Sequence, residues 1–207
     1  MKKSEIKVKQ PKKIIFFILI FSAIILSLVL IYPNIDKYIY YTSNNLQNSS
    51  ATYVVKLLTE LGNTTAIFIL TLIIIVFLSH RKNYRALSFY LSVIIAGLII
   101  NPLLKEIFAR LRPPGTGALG FAFPSGHATT AAIAFWALFI ILLPKYRKTA
   151  FIFLFIPIIV GLTRIYLKAH WFSDIAGSFL ISAIILLTAH HLFYENALSK
   201  IRNIKSP

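Results

Sequence analysis

Apolar residues are gathered in six long runs, at 14–32, 64–79, 86–104, 128–143, 149–167 and 175–194, divided by short polar or basic segments. The first holds no charge over 19 positions, close to the ~20 residues that cross a hydrocarbon core. The pattern predicts six transmembrane helices, the second and fourth being short enough to recruit neighbouring small polar residues. A basic leader (Lys2, Lys3, Lys7, Lys9, Lys12, Lys13) precedes the first run and raises a signal peptide as a possibility. That run is longer than a signal-peptide core and no A-x-A-like cleavage site follows, so it is read as a retained span. The fold class is all-α, a polytopic membrane protein.

Between the first two spans, 33–63 is a polar and aromatic external segment. Within it, Val54, Val55, Leu57, Leu58 and Leu61 fall mostly on one helical face, with Lys56 and Glu60 elsewhere. That suits a helix lying at the membrane interface, or equally one packed on the bundle. The expected organisation is a basic cytoplasmic leader (1–13), a membrane domain (14–194) and a basic cytoplasmic tail (195–207).

Composition sharpens this. Lys and Arg number 22 against 6 Asp and Glu, a formal charge of +16, while 57% of the 207 residues are apolar. Nucleic-acid binding would account for the charge but not the apolar excess, and that excess excludes disorder. There is no Cys, so thiol chemistry and disulfides are excluded. The leader, the 81–85 and 145–148 loops and the tail hold 15 of the 22 cations, all on one side if six spans alternate. The positive-inside rule makes that side the cytoplasm, with both termini inside. Lys37, Lys56, Lys105, Arg110, Arg112, Arg164 and Lys168 remain outside, and five of these lie in two short segments where topology disfavours them.

Three outer segments carry the candidate chemistry. Lys105 and Arg112 are seven residues apart and share a face if the third span continues as a helix to Pro113-Pro114. Two such cations suit a phosphate, Arg bidentately and Lys as a point charge, although snorkelling to headgroups would also place them there. Pro124-Ser125-Gly126-His127 begins the fourth span. Ser125 is a plausible N-cap, Gly126 permits close approach, and free N–H groups at a helix start bind anions. Beside an anion, His127 is a candidate general acid. In the third segment Arg164 stands near the outer end of the fifth span, and His170 and Asp174 are four residues apart. A carboxylate so placed fixes the imidazole tautomer and leaves the other nitrogen free to attack; the bland alternative is that Asp174 only caps the sixth helix. A metal site built on Glu106, His127, His170 and Asp174 is disfavoured by five cations against two carboxylates. His80, His190 and His191 fall on the cytoplasmic side.

Together these segments, Lys105-x6-Arg112-Pro113, Pro124-Ser125-Gly126-His127 and Thr163-Arg164-x5-His170-x3-Asp174, resemble the three-part signature of the type 2 phosphatidic acid phosphatase (PAP2) superfamily. Thr163 replaces the usual Ser and keeps the hydroxyl. The resemblance implies that His170 attacks phosphorus to form a phosphohistidine, that Asp174 orients it, and that His127 serves the leaving group and then water. It implies phosphoryl binding by Lys105, Arg112, Arg164, Ser125 and Gly126, with no metal or other cofactor. Phosphoryl transfer asks mainly for in-line positioning and charge neutralisation, which these groups supply.

Six spans with a site at the outer membrane–water interface imply a lipid phosphate or pyrophosphate substrate in the bilayer and no nucleic-acid partner. The resemblance implies a bacterial member in the cell (inner) membrane, and among the substrates it implies the leading expectation is undecaprenyl pyrophosphate hydrolysis. Phosphatidylglycerophosphate or broad lipid-phosphate hydrolysis follows, and phosphotransfer from His170 to another lipid is a lesser alternative. An anion transporter would instead spread polar residues through the spans, whereas the charges here collect at one depth.

Overall fold

The structure is a computed structural model that describes residues 34–195 and eight positions of the first apolar run (16, 18–20, 22–24 and 27). Most of the first expected span, the leader and the tail beyond Glu195 lie outside the described residues. The eight described positions are helical, and Ile18 and Leu19 pack on the core.

Among the described residues all regular structure is helical. Two short helices, α1 (Ile35–Asn44) and α2 (Ser49–Thr59), precede a single tight turn (Glu60–Gly62). Then come α3 (Thr64–His80), α4 (Tyr84–Phe108) and α5 (Gly126–Leu142). A helical turn at Arg147–Ala150 leads to α6 (Ile152–Tyr166), and α7 (Phe172–His190) follows. Side-chain oxygens fix several of the starts. Asn48 accepts from the Ala51 N–H at 2.8 Å, Asn63 from Thr65 at 3.0 Å and Asn83 from Ala86 at 3.3 Å, each supplying a partner for a helix N–H that would otherwise have none.

Among the described residues three stretches are long and apolar enough to cross a membrane: Tyr84–Phe108, Lys148–Tyr166 and Phe172–Tyr194. A fourth arises if Ser49–Gly62 and Thr64–His80, bent by 47° at their junction, form one broken span. At 17 residues α5 is apolar but shorter.

The centre of the bundle is α5. Its alanines at 128, 131, 132, 134 and 137 are fully buried, and such small side chains let α4, α6 and α7 approach closely. In contrast, α3, α4 and α6 leave Phe68, Ile73, Val76, Ile95, Ile99, Phe155 and Leu162 exposed. An apolar surface of that extent is stable against hydrocarbon rather than water.

Candidate active site

The end of α4, the starts of α5 and α7 and the end of α6 meet at one end of the bundle, with α1 and α2 laid across them. Asn101 of α4 donates to Thr129 of α5 at 3.0 Å, and the Ser125 N–H donates to Ser178 Oγ of α7 at 2.9 Å. Ser125 is fully buried and caps α5, accepting from the Ala128 N–H at 3.4 Å, as its sequence position suggests. His127 therefore sits in the first turn of α5, half-buried, within electrostatic reach of Arg164, His170 and Arg112.

The expected continuation of the third span to Arg112 is corrected. α4 stops at Phe108, and Ala109 adopts a left-handed conformation (φ 42°) that turns the chain out of the helix. Lys105 and Arg112 are thus not on one helical face. They converge because the following loop folds back: the Ala122 N–H donates to Arg110 O (2.8 Å), Lys105 Nζ to Phe121 O (2.7 Å) and Arg112 Nε to Gly120 O (2.9 Å). The Gly115–Gly120 segment is held at its base by these bonds and by Tyr40 Oη donating to Pro114 O (2.8 Å).

His170 lies just before α7 and is buried, 4% exposed. Arg112 Nη1 stands 3.1 Å from His170 Nε2 and also donates to Ala169 O at 2.7 Å. Arginine has no acceptor, so Nε2 presents its lone pair to the cation and the ring proton is assigned to Nδ1. Nδ1 is 3.5 Å from Asp174 Oδ2, close enough for electrostatic pairing but longer than a hydrogen bond, and it has no hydrogen-bond partner among the described residues. Burial pushes the His170 imidazole below its ordinary range; Asp174 opposes the shift, while Arg112 and Arg164 add to it. Burial likewise lowers Arg112 from its ordinary value, against the pull of Asp174.

Asp174 is wholly buried and makes the capping contact expected of it at the start of α7. Its Oδ2 accepts from the Trp171 N–H at 2.8 Å, closing the first turn of α7, while the same oxygen faces His170. Arg164, near the end of α6, donates from Nη1 to Thr59 Oγ1 of α2 at 3.0 Å. Its Nε is buried and has no hydrogen-bond partner among the described residues. Thr163 turns its hydroxyl back to Val160 O at 2.6 Å, so it supports α6 rather than the site. His190 is buried at the opposite end of α7, stacked on Tyr194 at 5.0 Å.

Several neighbours carried no local signal in the sequence. Asp36 reaches the site from α1 and pairs with Arg110, one of the seven outer cations. Thr59 holds Arg164. Gly62 lies so close to α5 and α6 that a Cβ there would stand 2.7 Å from both His127 O and Val160 Cγ1.

Sequence comparison matches residues 85–198, more than half of the chain and all three motifs, to the PAP2 superfamily. The chain belongs to that family. It is 33% identical to phosphatidylglycerophosphatase B of Bacillus subtilis over 137 residues, covering 59% of this chain and 65% of that protein. It is 37% identical over 114 residues to a lipid A 1-phosphatase of Rhizobium johnstonii, covering 48% and 45%. It thus spans less than two thirds of the length of these relatives. In fold it resembles the crystal structure of a transmembrane PAP2 type phosphatidylglycerolphosphate phosphatase from Bacillus subtilis, with a TM-score of 0.73, 24% identity, and coverage of 86% and 94%.

Proposed function

We propose that this chain is a membrane lipid phosphatase acting through a phosphohistidine on His170. The observation that carries the reading is the placement of His170. One ring nitrogen faces a carboxylate and the other faces a phosphate-binding cation, with a buried, unpartnered Arg164 Nε in the same cluster. The Nε2 lone pair attacks phosphorus and the bond to the lipid oxygen breaks, with His127 giving that oxygen its proton. Water, deprotonated by His127, then displaces His170 and releases inorganic phosphate. Lys105, Arg112 and Arg164, with Ser125 and the Gly126 N–H at the start of α5, receive the phosphoryl oxygens. Since three side-chain cations supply the positive charge, hydrolysis proceeds without a metal, and activity persists in excess EDTA.

Among substrates, a phosphomonoester of the phosphatidylglycerophosphate type moves ahead of undecaprenyl pyrophosphate. The relatives carry names of phosphatidylglycerophosphate and lipid A phosphatases, and none of those named is a pyrophosphatase. In the proposed topology six spans cross the membrane of a bacterial cell, both termini are cytoplasmic and the site opens outward.

The test is phosphate release by purified protein from a panel of lipid monophosphates and pyrophosphates, ranked by kcat/KM. His170→Ala should abolish turnover while the protein stays folded in detergent. Wild-type turnover by that variant removes the nucleophile assignment, and faster turnover of the pyrophosphate restores the carrier-lipid reading.

A further inference from the structure

Asp36 belongs to a segment that contributes nothing to the three motifs, yet its carboxylate is buried (6% exposed) and ends among them. Its Oδ1 accepts from the Ser173 N–H at 2.9 Å, and its Oδ2 accepts from Arg110 Nη2 at 2.7 Å and from the Ser173 hydroxyl. The other guanidinium nitrogen, Arg110 Nη1, donates to Asp174 Oδ1 at 2.6 Å and to Ser173 Oγ at 2.6 Å. One guanidinium therefore bridges two buried carboxylates, and Ser173 is hydrogen-bonded to both Asp36 and Arg110. Trp171 closes the arrangement from outside, with Arg110 over its ring at 5.9 Å and its Nε1 donating to Leu111 O at 2.9 Å.

The consequence falls on Asp174. With Oδ1 held by Arg110 and Oδ2 held by the Trp171 N–H, the carboxylate cannot rotate without breaking a bond to one of them. Oδ2 is thereby kept toward His170 Nδ1. A buried carboxylate is retained only where it is paired and hydrogen-bonded, and Asp36, itself held by the Ser173 N–H and hydroxyl, fixes the far end of the guanidinium whose near end holds Asp174.

We propose that Asp36 and Arg110 are positioning residues, a clamp that holds Asp174, and through it the His170 ring, in register with the phosphate-binding cations. The inference rests on His170 being the nucleophile. It makes α1 part of the frame of the active site rather than a surface ornament.

The charges give the clamp a signature that mere structural support lacks. His170 is faced by Asp174 from α7, Arg112 from the loop after α4, Arg164 from α6 and His127 from α5, while Lys105 of α4 acts on Asp174. In Asp36→Asn, Arg110 keeps one carboxylate and draws the charge of Asp174 away from the imidazole, so His170 protonates at lower pH than in the wild type. In Arg110→Gln, the charge of Asp174 is left to the imidazole, so His170 protonates at higher pH. The two variants move the same group in opposite directions.

The experiment uses the full chain in detergent micelles. NMR titration of isotope-labelled imidazoles, with the His170 signal assigned through His170→Gln, is run beside steady-state kinetics on the best lipid monophosphate of the panel. Expected are opposite displacements of the His170 midpoint in Asp36→Asn and Arg110→Gln. With them comes a fall in kcat on the order of 10- to 100-fold, the scale of losing near-attack alignment, with KM little changed. Asp36→Glu, which keeps the charge, stays close to the wild-type midpoint. Midpoints that do not move, or move in the same direction, overturn the clamp. So does an unchanged kcat in Asp36→Asn. A wild type that releases no phosphate from any lipid removes the proposed function, and the titration still decides the clamp.

Discussion

Arg112 and His170 are in direct contact, with guanidinium Nη1 3.1 Å from imidazole Nε2. The nitrogen that would attack phosphorus is thus already engaged by a cation that would bind the phosphoryl group. In the proposed mechanism an incoming phosphoryl oxygen would take over that donor and leave the lone pair facing phosphorus, so that binding and activation of the nucleophile would be one exchange of partners.

Replacing Arg112 by Lys keeps the charge and loses the geometry. An ammonium cannot reach His170 Nε2, Ala169 O and Gly120 O from a planar fork as Arg112 does. We expect kcat/KM to fall on the order of 10- to 100-fold, corresponding to one or two charge-assisted hydrogen bonds. Steady-state kinetics on the best lipid substrate decides it, and a wild-type value would show that charge alone suffices.

The acid limb of the rate profile should lie below the pH of a free imidazole. Burial lowers His170 from its ordinary value, so its neutral, attacking form persists as pH falls and is lost only below the folded pKa. The expected limb in kcat/KM is below about 6.5, the ordinary histidine value. The same sign applies to stability, because the unfolded chain takes up this proton first and acid therefore favours unfolding. A limb at or above the ordinary value would contradict the burial of His170 in the working protein.

Gly62→Ala should destabilise the protein. The added methyl would stand 2.7 Å from the backbone oxygen of His127 and 2.7 Å from Val160 Cγ1, and backbone cannot swing aside as a side chain can. Overpacking of this kind costs about 1–3 kcal/mol. Thermal unfolding in detergent should show a lower midpoint, together with a loss of activity from displacement of His127.

Since the chain has no Cys, Thr116→Cys provides a single thiol in the loop after α4. It should react with a membrane-impermeant maleimide on intact cells. Labelling that appears only after permeabilisation would reverse the proposed orientation.

The motif residues were legible because each motif is local. Ser125 before an apolar run is an N-cap by its chemistry, and the four-residue step from His170 to Asp174 brings ring and carboxylate together at the start of a helix. The end of α4 was not legible. Pro113 and Pro114 looked like the stop, but the left-handed Ala109, a residue with no preference for that conformation, ends the helix at Phe108. Nor was the partner of Arg110. Asp36 lies 74 residues away, and nothing in either neighbourhood encodes the contact. Only charge matching hinted at it, through an outer arginine without an obvious ligand and an acidic residue in a segment with few of them.

The first turn of α7 also contains a reporter. The Trp171 amide proton is held by Asp174, the carboxylate that faces His170. That proton can exchange with solvent only when Asp174 lets go, so its exchange rate counts the moments at which the carboxylate facing His170 is released. The integrity of the site can be followed in this way at a single backbone position, with no substrate present.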